Sequence, residues 1–199
     1  MTVGSPHEPA GDRHEDRPLV DAALRVEQDE RLDRAVDLMA RPARIVSGGR
    51  ARELLSGRPL GHALHPLMTD LPLGCWLSAG LLDVFGGRAA RSAAQRLVGM
   101  GVLLAIPTAA TGLSDWGVAA QQRDRRVGVV HAALNVVALS AYVWSWSLRR
   151  RGMHLRGGAT GVCGGLIATA SGYLGGHMSF RRRVGTGDPA MDGSVRAAA

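Results

Sequence analysis

The chain has 199 residues, with 24 basic and 17 acidic side chains, a net charge of +7 and a mean hydropathy of +0.02. That average hides two unlike parts: residues 1–58 hold eleven of the acids, and the rest holds six, spread among long apolar runs. Positive charge confined to short loops between such runs suits anionic lipid headgroups and argues against nucleic acid as a partner, while Cys75 and Cys163 lie inside apolar runs with no CxxC spacing, as small buried hydrophobes do.

In chain order, 1–17 is polar and expected to be disordered, and nothing in the first sixty residues has the pattern of a signal peptide. Residues 19–40 have helix-forming composition. Asp21–Arg25, Glu27–Arg31 and Glu30–Arg34 stand acid-first at i, i+4, and Leu24, Leu32, Ala35, Val36 and Met39 supply a modest apolar face. This predicts one amphipathic helix within a polar N-terminal region, 1–58, lying on the rest of the chain or on a membrane.

Four apolar runs follow, and they predict transmembrane helices near 64–85, 97–113, 127–148 and 158–177 within a membrane domain spanning 59–183. The first carries Asp70 and Asp83, and its Pro72 frees the carbonyl of Met68. Asp83 is expected to cap or to pair near Arg88 and Arg91. The second contains Pro107 and should bend. The third holds no Arg, Asp or Glu and ends in Tyr142, Trp144 and Trp146 before Arg149, Arg150 and Arg151, the pattern of a membrane interface. The fourth bears a stripe of small residues, Gly161, Gly165, Ala168, Gly172 and Gly176, suited to close helix packing and, as an alternative, to an oligomer contact. Residues 184–199 form a second tail expected to be disordered. The expected fold class is therefore all-α: an integral membrane bundle of four transmembrane helices with an N-terminal amphipathic helix.

Alternating spans would bring the start of the first and third runs and the end of the second and fourth to one membrane face. His62, His65, Asp115, His131 and His177 would meet there, with Asn135 a turn below His131 and Asp70 below His65. Ionisable groups near lipid are expected to be paired or functional. Arginines are nearly balanced between the two faces, and the long charged N-terminal region favours both termini in the cytoplasm.

The segments Gly61-His62-Ala63-Leu64-His65-Pro66, Asp70-Leu71-Pro72-Leu73-Gly74 with Trp76, Thr111-Gly112-Leu113-Ser114-Asp115-Trp116, His131 with Asn135, and Gly172-Tyr173-Leu174-Gly175-Gly176-His177 occur in this order. Together they resemble the four-helix bacterial membrane proteins of domain-of-unknown-function family 2231, over about 59–186; Ala63 departs from the proline often found there. Some members of that family carry a Rieske-type iron–sulfur domain, whose cysteine–histidine pairs these 199 residues lack. The resemblance therefore implies a redox association through a separate iron–sulfur polypeptide.

Two functional readings stay open. In the first, His65, His131, His177 and His62 supply ligands to haem b or, with His65, His131 and His177, to a transition metal, in an electron-transfer module of the inner membrane. Asp70, Asp115 and Asn135 would orient the imidazoles. In the second, the chain is a non-catalytic structural or regulatory subunit, its His/Asp cluster a helix-locking network or a docking surface. No nucleophile–base order or phosphate-binding loop argues for catalysis by the chain itself.

Overall fold

The computed structural model describes residues 17–184, so all but the innermost residue of each expected tail lies outside it. The described residues contain no strand. In chain order they form α1 (Pro18–Gln28), α2 (Asp33–Val46), α3 (Gly49–Leu55), α4 (Leu64–Phe85), α5 (Arg91–Gly117), α6 (Gln122–Arg150) and α7 (His154–Gly176), with a π-turn at His177–Arg181.

The single N-terminal helix expected over 19–40 is broken. Asp29 leaves the helical region at φ −77° and ψ 97°, its side chain accepts from the Arg31 amide at 3.0 Å, and a short 3₁₀ turn, Glu30–Leu32, leads into α2. The break separates Glu27 from Arg31, so the expected i, i+4 pair is replaced by longer-range partners. The three short helices pack on one end of the long ones: α1 along α6, α2 against α5 and α6, and α3 on α5. Val36 and Ala43 meet Trp116 and Val129, Ala23 meets Val127 and Leu174, and at the end of α2 the Ser47 hydroxyl donates to the carbonyl of Ser114 on α5 while the Ser114 hydroxyl donates to the carbonyl of Val46.

The four long helices make two close pairs, α4 with α5 and α6 with α7, joined through α5–α6 and more lightly through α4–α7. Within the first pair His65 meets Thr111, Met68 meets Thr108 and Trp76 meets Val98, an antiparallel register. Pro72 does free the carbonyl of Met68, and the Thr108 hydroxyl of α5 donates to it at 3.0 Å. Away from water such a carbonyl needs a partner from a neighbouring helix.

The distribution of side chains is inverted relative to a soluble protein. Ser114, Ser145, Ser171 and Thr111 are among the most deeply buried side chains, whereas Leu77, Leu103, Val136 and Leu166, one from each long helix, point outward. Water offers no reason for this pattern; lipid does. Helices α5 and α6 have the length and hydropathy of spanning helices, with only 28% and 22% of their most apolar windows buried within the chain. Helices α4 and α7 fall below that measure, because α4 carries two carboxylates and two prolines and α7 is rich in glycine.

At the centre Trp76 of α4 stacks on Tyr142 of α6, with ring centroids 3.9 Å apart and planes 8° from parallel. Gly101 of α5 lies so close that an added Cβ would sit 2.3 Å from Trp76 Nε1. The ring is pinned between α5 and Tyr142 and has nowhere to retreat. Gly101→Ala should therefore destabilise by about 1–3 kcal/mol, read as a lower thermal midpoint in detergent, while Gly80→Ala, which meets open space, should not.

Candidate functional site

Trp76 and Tyr142 are 66 positions apart, and so are Asp83 and Arg149, which form a bidentate ion pair at 2.7 and 2.5 Å. A constant offset between facing residues means that α4 and α6 run parallel and in register. His65 and His131 share this offset and so stand at equal depth.

Their surroundings repeat as well. His65 Nδ1 lies 3.1 Å from the carbonyl of Thr108 and 3.1 Å from Thr111 Oγ1, both on α5. His131 Nδ1 lies 2.8 Å from the carbonyl of Ser171 and 3.0 Å from Ser171 Oγ, both on α7. A carbonyl only accepts, so in each ring Nδ1 carries the proton and Nε2 is left as the lone-pair nitrogen of the neutral imidazole. A glycine makes room for each ring: a Cβ on Gly112 would stand 2.6 Å from His65 Cε1, and one on Gly175 3.0 Å from His131 Cε1. Gly101 against Trp76 and Gly164 against Tyr142 extend the same correspondence. The α4–α5 and α6–α7 pairs are thus two copies of one helical hairpin around a pseudo-two-fold axis. Only the paired offsets could have revealed this in the sequence, because the copies share few identities.

The other expected site residues go elsewhere. Asn135 Nδ2 donates to His131 Nε2 at 3.0 Å, from an exposed position. His177 does not join His65 and His131. It is buried under α1, its Nε2 is 2.7 Å from Glu27 Oε1, and Arg182 donates to both oxygens of the same carboxylate. His62 is exposed and bonded to the carbonyl of Gly61 in its own loop. Asp70 is exposed on α4, and Asp115 is buried near the α2 contact. Asp83 pairs with Arg149 across the helices rather than with Arg88 or Arg91, because the parallel register aims both side chains at one level. Of the small-residue stripe of α7, Gly161 faces Ser145 and Gly165 faces Tyr142, whereas Gly172 meets open space and Gly176 meets only Phe180 of the following turn; Gly164 and Gly175, outside the stripe, face Tyr142 and His131. Among the described residues no group of three or more His, Cys, Asp or Glu side chains converges as a metal cluster would.

Sequence reasoning missed the role of Glu27 and also that of Asp124, in the first turn of α6. The Asp124 side chain is buried, its Oδ1 has no hydrogen-bond partner, and Arg182 Nε stands 3.8 Å away. Burial raises its carboxyl above the usual 3.8, against the lowering charges of Arg182 and Arg123. A raised carboxyl favours folding most when protonated and costs stability as pH rises through its native value. Asp124→Asn should accordingly stabilise more at pH 7 than at pH 4, checked by thermal unfolding at both.

A helical protein with polar interior contacts, outward apolar faces and two apolar helices of spanning length belongs among integral membrane proteins. The family model described as a predicted membrane protein, DUF2231, matches residues 61–188, and the chain belongs to that family, as the motif order implied. No curated protein and no solved structure matches it.

Proposed function

We propose that the chain is a four-span protein of the bacterial inner membrane, with both termini cytoplasmic, whose His65 and His131 form a paired site for haem b or a transition-metal ion serving electron transfer. The observation that carries this reading is the repeated setting of the two imidazoles, each with Nδ1 held by a carbonyl of the partner helix and Nε2 left basic. Fixing one ring nitrogen orients the other for a metal. Two histidines on facing helices at one depth suffice for haem iron, whereas a metal ion would need further ligands, which Asn135 or water could supply. Bound haem would supply one-electron chemistry. The residues of this chain would orient the ligands, and Asn135, being exposed, can turn away from Nε2. A separate iron–sulfur polypeptide is the proposed redox partner.

A second reading rests on the same bonds. The Thr108–His65 and Ser171–His131 contacts tie α4 to α5 and α6 to α7, and they would serve a purely structural subunit equally well. Absorption spectra of the detergent-purified protein, oxidised and reduced, with metal analysis, decide between them. We expect a Soret band or stoichiometric metal, lost in His65→Ala and His131→Ala and retained in His62→Ala. Neither signal from cells supplied with haem and iron leaves the structural reading.

A further inference from the structure

Where α1 crosses the end of α7, a groove of about 420 Å³ opens between Val20 on one side and Tyr173, Gly176 and the π-turn on the other. Phe180 stands 89% exposed in its wall, and Arg181 and the buried His177 line it too. Among the described residues no carboxylate pairs with Arg181, while Glu27 and Asp124, the nearby acids, face Arg182. The groove is thus apolar along its length and cationic at one edge. In the four-span reading, on which this inference rests for its depth, the groove sits where the fourth span ends, at headgroup level, where aromatic and arginine side chains concentrate.

We propose that this groove holds one anionic phospholipid, its acyl chain along Val20, Tyr173 and Phe180 and its phosphate on Arg181. The occupant follows from charge complementarity: an uncharged or zwitterionic lipid would match the apolar wall but leave the cation unanswered. Because Val20 belongs to α1 and the opposite wall to α7, the lipid would also pin the N-terminal cap to the long helices.

The test is lipid binding by native mass spectrometry of the full chain in detergent, with thermal unfolding alongside, using phosphatidylglycerol, phosphatidylcholine and inorganic phosphate as probes. We expect one tightly retained phosphatidylglycerol that raises the thermal midpoint more than phosphatidylcholine does. Arg181→Gln should weaken it about fivefold and erase the preference, and Val20→Trp, which fills the groove from the α1 side, should abolish retention. Equal stabilisation by both lipids, an unaltered Arg181→Gln variant, or full reproduction of the effect by inorganic phosphate would each overturn the proposal. Carbonate extraction of membranes reports separately on the span reading: release of the protein sinks that reading, and retention without lipid selectivity sinks only the groove.

Discussion

Asp83→Ala should lower stability by about 3–5 kcal/mol, the cost of leaving a buried charge without its partner. The guanidinium of Arg149 is 2% exposed and gives Asp83 two parallel hydrogen bonds, while its Nε reaches Ser145 Oγ at 3.2 Å and that hydroxyl donates to the carbonyl of Gly157. Removing the carboxylate strands the cation among α4, α6 and α7. The partner change, Arg149→Met, should cost less, because Asp83 is about a quarter exposed and can reach solvent or headgroups. The double variant Asp83→Leu/Arg149→Met should recover most of the loss, since an apolar pair of similar volume often equals a buried ion pair. Thermal unfolding of the parent, the Asp83→Leu and Arg149→Met single variants and their double in one detergent gives the coupling directly. If the three variants lie within ~0.5 kcal/mol of the parent, the pair is ornamental.

The second large effect concerns the cap. Glu27→Ala should cost about 3 kcal/mol and release α1, because His177 and Arg182 both direct their donors at this one buried carboxylate. Hydrogen exchange should then show faster amide exchange in α1, with α5 and α6 unchanged. Burial by itself raises the Glu27 carboxyl, but hydrogen bonds from His177 and Arg182 and the charges behind them outweigh it and hold the pKa below 4.5. A lowered carboxyl contributes its full stability above the unfolded value and loses it as pH falls through the native one. The gap between parent and Glu27→Ala should therefore be widest near neutrality and close in acid. A gap that grew in acid would mean that Glu27 is not the anchor. Asp33, held near 2 by Arg126 and Gln122, is a second and more exposed tie of the same kind. It should keep α2 attached when Glu27 is gone.

The cap also explains why His177 leaves the histidine set. The family match begins at residue 61, so α1, which carries Glu27, lies outside it, yet Glu27 engages His177, which lies within it. A reading confined to the motifs had no means of placing that carboxylate, because the two residues are 150 positions apart in the chain.

What the sequence alone determined was local. The apolar run from Leu64 to Phe85 is the observed α4, bounded by the loop before Leu64 and the glycines after Phe85. The orphaned carbonyl of Met68 was implied by Pro72 as soon as a helix was assumed, since proline has no amide to give. Family membership was legible in the order of short motifs. Three things only the tertiary structure decided. The break at Asp29 turns on one side chain bonding to a nearby amide, an option as available to an Asp within a continuous helix pattern as to one at its end. The partner of Asp83 depended on α4 and α6 running parallel at a constant offset, and flanking arginines nearer in sequence gave a false lead. The placement of His65 and His131 at one depth, with His177 bonded to Glu27 instead, depended on the register of α4 and α6 and on a carboxylate arriving from the cap. Periodicity and composition fix how a segment folds and how much of it avoids water. Which polar groups meet is set by register between distant helices, and no single segment carries that information.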